Sequence, residues 1–302
     1  MIRYPDGRLS NQADATYCHF DSTCVSPADH RMCKTAGQWA LTYDDGPSPE
    51  ARPLLAALAK ANVKATIFVA GSASYYNPAD LKAMFDQGHE IAIHTWTHAA
   101  LTTGTVKQII AEVLYSEALV VKVTGVKPRF FRPPYGDIDN RVRAIVNALG
   151  YEVIMWDKPH NTQDTVVPTA EVLRMVNTWF TQPTAPGFIS LEHNLNAAAI
   201  NSSIAVLDAV IAAKAANAMP LTIVPVGACI GQSAYVGGAV APGGAANGTA
   251  AAGPAGTVPT VVGAPTNTAA GATASQTAAA NSNTQAVGAV AIVAAALSAL
   301  FL

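Results

Sequence analysis

W-A-L-T-Y-D-D-G-P-S-P-E, residues 39–50, changes character halfway along. Residues 39–43 are apolar and rich in strand formers. Two carboxylates, Asp44 and Asp45, follow at once, and Gly46-Pro47 forces a turn. Ser48-Pro49-Glu50 then offers a cap, a proline at the first helical position and an early acid, so it predicts a helix start. Strand, polar turn and helix in direct succession make a βα unit. Adjacent side chains on a strand point to opposite faces, but at its end the backbone is already turning, and both acids can reach one site. Two acids there repel, so the pair is costly unless a cation lies nearby.

The same alternation continues along the chain. Strand-like runs at 39–43, 65–69, 90–94, 129–132, 152–156, 188–192 and 221–225 alternate with helical patterns at 49–61, 78–87, 105–123, 138–149, 169–180 and 200–217. Asn77-Pro78 and Asp137 read as caps. The pattern predicts an α/β fold of parallel βα units, wound by right-handed crossovers into a barrel or an open doubly wound sheet. In both, the C-terminal ends of the strands form the functional rim. The polar motifs collect there: D-D-G-P after the first strand, H-T-W-T-H (94–98) after the third, R-P-P-Y-G (132–136) after the fourth, D-K-P-H-N-T-Q-D (157–164) after the fifth and L-E-H-N (191–194) after the sixth.

Asp45, His94 and His98 supply one carboxylate and two imidazoles. An H-x-x-x-H spacing is expected to set both rings on one side of a helical turn, able to grip one ion. Three protein ligands leave positions free for water and substrate, the pattern of catalytic zinc. The same donors also suit Fe(II). An ion would relieve the repulsion between the neighbouring acids.

The 302 residues carry a formal net charge of −2. With no Lys/Arg cluster, there is no electrostatic case for a nucleic-acid partner. The cysteines are Cys18, Cys24, Cys33 and Cys229, and none forms a C-x-x-C pair, which argues against a zinc ribbon or a thioredoxin-type motif. An even number in an exported chain predicts two disulfides. Three pairings are open; the expected one joins Cys18 to Cys24 and Cys33 to Cys229. Residues 1–35 read as an irregular, disulfide-tied extension. Residues 1–12 are polar and lack an apolar leader segment, so a leader is expected to have been removed or to lie upstream. From Gly231 to Leu302 there is no Asp, Glu, Lys or Arg, and Ala, Gly, Thr, Pro and Ser dominate. Such a composition cannot bury a core. Residues 231–285 read as a disordered, O-glycosylated stalk. Residues 286–302 form an apolar run of the length of a GPI-signal tail, with no basic stop-transfer residue after it. Sequons at Asn201 and Asn247 fit export.

T-Y-D-D-G-P, H-T-W-T-H, R-P-P-Y-G and L-E-H, in this order and at these intervals, resemble the motifs of the polysaccharide deacetylases, carbohydrate esterase family 4. The resemblance spans 36–230. The W-A-L-T-Y-D-D-G-P form and the Ser/Thr-rich anchored tail are similar to those of fungal chitin deacetylases. The resemblance implies a distorted (β/α)7-8 barrel and one divalent metal, zinc first and cobalt second. It implies removal of N-acetyl groups from chitin at the cell surface by a secreted, GPI-anchored monomer. By position, Asp44 would be the general base; Asp45, His94 and His98 would hold the metal; Arg132 would keep Asp44 ionised. His193 would be the general acid, oriented by Asp164. Leu191 would wall the acetyl-methyl pocket, and the Tyr135 N–H would help bind the oxyanion. Read from the residues alone, Tyr75, Tyr76 and Trp96 offer rings either to stack on sugar faces, as substrate contacts, or to pack on the core or rim. One motif departs. The family's acid–x–x–Asp–Trp segment reads N-T-Q-D-T here, with Asn161 for an acid and Thr165 for the Trp. That leaves other acetylated glycans, peptidoglycan or acetylxylan, as alternative substrates, and a catalytically weak wall-binding protein as an alternative role.

Overall fold

A computed structural model describes residues 26–182 and 186–242. The chain divides into two units, 1–249 and 250–302, and everything described belongs to the first. The Cys18–Cys24 pair, Asn247, residues 243–285 of the expected stalk and the apolar tail lie outside the described residues. Residues 231–242, expected to begin the stalk, instead pack on the core: Ala234, Tyr235 and Ala241 are buried, and Tyr235 Oη accepts from the Ile91 N–H.

Among the described residues, ten short strands and eight α-helices follow in chain order: β1 (Met32–Cys33), β2 (Gln38–Ala40), β3 (Thr42–Asp44), α1 (Ala51–Lys60), β4 (Thr66–Val69), α2 (Gly71–Tyr76), α3 (Pro78–Asp86), β5 (Glu90–Ile93), α4 (Val106–Thr124), β6 (Phe130–Phe131), α5 (Asn140–Ala148), β7 (Glu152–Val153), α6 (Thr169–Trp179), β8 (Gly187–Ile189), β9 (Glu192–His193), α7 (Ala197–Ala215), β10 (Thr222–Val224) and α8 (Val226–Ile230). One sheet has the order β7-β6-β5-β4-β3-β9 and is parallel throughout. The other runs β1-β8-β2-β10, with β1 antiparallel. Two predicted strands are each broken in two. The first leaves one sheet at Leu41 and enters the other; the sixth does so between Ile189 and Glu192. The sheets thus curl as a distorted barrel that does not close. Among the described residues an isolated Asn161–Leu191 bridge spans part of the open side.

Strands β3, β4, β6 and β8 are buried on both faces, as apolar runs under helices should be. The chain ahead of the first predicted strand is part of this unit. Cys33 and Cys229 form the expected disulfide, tying β1 to α8, and Arg143 of α5 clamps buried Asp29 with a shortest contact of 2.6 Å. Helix caps differ from expectation in detail. Asp139 caps α5, accepting from the Val142 N–H at 2.7 Å, while Asp137 accepts from the Thr102 N–H and Oγ1. The Asn77 side chain bonds to the carbonyls of Pro47 and Ala73 instead of capping α3. The first helix starts at Ala51, after Glu50, with no side-chain cap.

Candidate active site

Because the large sheet is parallel, every one of its strands delivers its C-terminal end to the same rim. Asp44 ends β3, Asp45 follows it, His94 follows β5, Arg132 follows β6 and His193 ends β9. Asp44 and His193 are paired residues on neighbouring strands.

Asp45, His94 and His98 converge, with their ligand atoms all within 4.8 Å of one another. Asp45 Oδ1 lies 3.2 Å from His94 Nε2 and 3.0 Å from His98 Nε2. That oxygen is buried, yet no well-aligned hydrogen bond satisfies it. His94 Nδ1 donates to the Arg132 carbonyl at 2.8 Å, which leaves the Nε2 lone pair facing the cluster. Burial would raise the Asp45 pKa, but the two imidazoles hold it well below the usual carboxylate range. Lone pairs aimed at a common point, with an orphaned oxygen among them, fit a divalent cation.

The route to this convergence differs from the helical turn that the spacing predicts. His98 lies in a loop beyond β5, and both it and Thr95 adopt left-handed backbone, with φ of 59° and 66°. Asp45 (φ 79°) and Tyr135 (φ 60°) do the same. Such residues cost about 1 kcal/mol each and persist only where their surroundings fix them. The surroundings are visible. Glu112 of α4 reaches over the loop: Oε2 accepts from the N–H groups of Trp96 and Thr97 at 2.8 Å each, and Oε1 accepts from Thr97 Oγ1 at 2.6 Å. Thr95 Oγ1 accepts from the His98 N–H. At the other acid, Asn194 Oδ1 accepts from the Gly46 N–H at 2.9 Å, and a Cβ on Gly46 would meet that side chain at 2.4 Å. The glycine is needed for this close approach. Sequence reasoning assigned no role to Glu112 or Asn194. Only the glycine in D-D-G-P hinted at the second.

Asp44 is buried against Arg132. Nη1 of the arginine donates to Asp44 Oδ1 and to Thr42 Oγ1 at 2.7 Å each, Nε donates to the Ile154 carbonyl and Nη2 to that of Met155. The guanidinium also lies 4.0 Å from the Phe68 ring centroid. A fully buried cation with every edge engaged is a fixed counter-charge for one carboxylate.

His193 Nδ1 lies 2.7 Å from Asp164 Oδ1, and the His193 N–H donates to Oδ2 at 2.8 Å. Burial would lower the His193 pKa. The Asp164 bond and charge, then Asp44 and Asp45, carry it up to about 9. Neighbouring Glu192 is pushed well above the carboxylate range, by burial first and the Asp164 charge second.

The remaining predicted residues are placed as follows. Leu191 is buried, and its N–H donates to the His160 carbonyl. Tyr135 is exposed, with its ring 4.5 Å from that of His98. Trp96 is half-buried between α2 and α4. Asn161 turns inward on its own loop, accepting from the Gln163 N–H. Asn201 is exposed on α7, whereas Ser203 of its sequon is buried.

Residues 31–154 match the family described as polysaccharide deacetylase. Over 188 residues the chain is 36% identical to chitin deacetylase 1 of Cryptococcus neoformans var. grubii, covering 57% of this chain and 40% of that protein. The solved chitin deacetylase of the fungal pathogen Colletotrichum lindemuthianum is 27% identical, with a TM-score of 0.62, over 70% of this chain and 96% of that one. A structure described as T48 deacetylase with substrate is 30% identical, with a TM-score of 0.53, over 63% of this chain and 89% of that one. The chain spans between a third and just over half the length of the curated relatives it matches.

Proposed function

The chain belongs to the polysaccharide deacetylase family, and from that membership and the site geometry we infer that it hydrolyses N-acetyl groups on N-acetylglucosamine units of chitin, releasing acetate. One observation carries the reading. Two paired residues, Asp44 and His193, flank a convergent donor triad, one ion-paired with Arg132 and the other kept as an imidazolium by Asp164. A base and an acid with their protonation states set apart are what amide hydrolysis requires.

In this reading Asp45, His94 and His98 hold a divalent ion, zinc first and cobalt second. When bound, such an ion supplies Lewis acidity to a carbonyl and acidifies a water. Asp44 takes the proton of the attacking water, aimed by its bond from Arg132. His193 gives its proton to the leaving nitrogen, which would otherwise depart as an amide anion. Asp164 holds Nδ1, so Nε2 carries the transferable proton. The Tyr135 N–H faces the oxyanion, and Leu191 walls the methyl pocket. Fe(II) oxygenase chemistry has no use for this paired acid and base.

Export is supported by the Cys33–Cys229 disulfide, which needs an oxidising compartment. A lipid anchor signalled by residues 286–302, glycans on Asn201 and Asn247, a cell-surface location and a monomeric state complete the proposal; the first rests on composition and the second on sequons.

Acetate release from chitin oligomers, with and without a chelator, tests the reading. Turnover that stops on chelation and returns with zinc or cobalt is expected. Turnover indifferent to stripping the metal sinks it. Faster acetate release from acetylxylan or peptidoglycan than from chitin moves the substrate and keeps the chemistry. The weak wall-binding alternative drew on the altered fifth-strand loop, yet that loop still bonds Asp164 to His193.

A further inference from the structure

Among the described residues, exposed aromatic rings are not scattered. Among the described residues there are four large ones, Tyr75, Tyr76, Tyr115 and Tyr135, with exposures of 47–79%. All four lie on, or one ring removed from, the loop that carries His94 and His98. Tyr135 touches the His98 ring. The other three continue outward from Trp96. Tyr75 lies 6.1 Å from Trp96 on one side, Tyr115 lies 6.1 Å from it on the other, and Tyr76 extends the row 5.4 Å beyond Tyr75.

The row is built, not accidental. Trp96 is wedged against Gly71 at the start of α2, where a Cβ would come within 2.4 Å of the indole and 2.6 Å of Ser116 Oγ on α4. α2 docks on the same loop through Gly71 N–H to the Thr95 carbonyl and Ser72 N–H to the Trp96 carbonyl. Glu112, one helical turn before Tyr115, bonds the Trp96 N–H. Loop, α2 and α4 are therefore tied together by backbone and side-chain bonds, and the rings sit beside the candidate metal donors.

A contiguous exposed aromatic patch marks a binding surface. The rings meet at 58–84°, so they present faces in several directions along a ridge. Pyranose rings offer apolar C–H faces for such surfaces and hydroxyls for tyrosine O–H groups, which have one apolar and one wet end. Single-stranded nucleic acid would need a cationic groove alongside the rings. The charged group bonded at the centre of this row is the carboxylate of Glu112.

We propose that Tyr76, Tyr75, Trp96 and Tyr115 form a stacking track for sugar units of a glycan chain beyond the unit being deacetylated. The proposal rests on the glycan-deacetylase reading above and extends it to substrate length. It predicts that affinity grows with chain length through these rings.

The test is calorimetric titration of the Asp44→Asn protein, which leaves the ligand intact, with chitin hexamer and chitin dimer. Replacing Tyr75 and Tyr115 together by Ser is expected to weaken hexamer binding about 10-fold, the effect of losing one to two stacked rings. The ratio of hexamer to dimer affinity falls with it. Val240→Ser, at an exposed apolar residue outside the row, leaves hexamer affinity unchanged. Hexamer affinity that stays within about 2-fold after both tyrosines are replaced overturns the track, as does an Asp44→Asn protein that binds no hexamer. The two readings fail separately. Track-dependent hexamer binding by a wild-type protein that releases no acetate from any chitin oligomer sinks the deacetylase and keeps the track. Normal turnover with silent tyrosines does the reverse.

Discussion

Asp44 and His193 reach the site from paired positions on β3 and β9. Asp45 and His98 reach it from left-handed backbone outside any regular element, and Tyr135 reaches it from left-handed backbone in a short 3-10 turn. The proposed acid–base half is thus placed by strand register. The proposed metal half is placed by side chains that hold strained loops still: Glu112 over one, Asn194 under the other. Register is set by many core contacts at once and tolerates surface change. A stapled loop depends on a few polar bonds. The two halves should therefore fail in different ways.

The largest expected effect belongs to the metal half. His94→Ala removes a donor whose Nδ1 also ties the loop to the Arg132 carbonyl. Metal content measured on the purified variant should fall to background, and acetate release should drop by ~10⁴-fold or more. Full activity would break the comparison outright, since the triad would then have no function. Asp44→Asn is the counterpart in the other half. The isosteric amide keeps its place beside Arg132 and leaves the metal bound, but it cannot take a proton. Turnover should fall by ~10³-fold with metal content unchanged. Loss of metal from this variant would merge the halves.

Asp164→Asn separates position from charge. With the carboxylate gone, burial acts on His193 with less opposition, and its pKa falls from about 9. A general acid works only while protonated, so the alkaline limb of kcat/KM reports its loss of the proton. In the wild type that limb should lie at or somewhat below pH 9, because a bound cation opposes the rise. In Asp164→Asn it should move toward neutral pH by about one unit, with a ~10²-fold lower maximum. A lower rate with an unmoved limb would mean that Asp164 only orients the ring.

The same division explains what could be read from the sequence. The six helices expected from apolar periodicity are present, each bounded within three residues of expectation. The strand runs are present too, because burial on both faces makes them continuous apolar stretches. The residues at their C-terminal ends follow directly. What was not legible is what depends on contacts across the chain. Leu41 looks like the middle of one strand, and nothing local says that the backbone changes sheets there. α2, G-S-A-S-Y-Y, has poor helix formers and no amphipathic period; it exists because its first turn docks on the His94–His98 loop. Asp137 and Asp139 stand two residues apart, and only the position of Thr102 decides which one caps. H-x-x-x-H looked helical because the spacing permits it. Left-handed Thr95 and His98 achieve the same convergence once a distant glutamate holds the turn.

That glutamate gives the smallest and sharpest test. Glu112 is half-buried on a helix with no motif around it, and it touches neither the donor atoms nor the acid–base pair. Glu112→Ala leaves the Trp96 and Thr97 N–H groups to water, and the loop then samples geometries in which His98 turns away. Metal affinity, measured by competition with a chromogenic chelator, should weaken about 10-fold, within the range for residues that orient metal ligands. The rate at saturating metal should return close to wild type, because Asp44 and His193 are held by strands that Glu112 does not contact. Glu112→Gln retains a carbonyl acceptor and should recover most of the affinity, which a charge effect on the ion would not allow. If Glu112→Ala instead lowers the rate at saturating metal and spares affinity, the loop is not what places the ion, and strand register governs both halves.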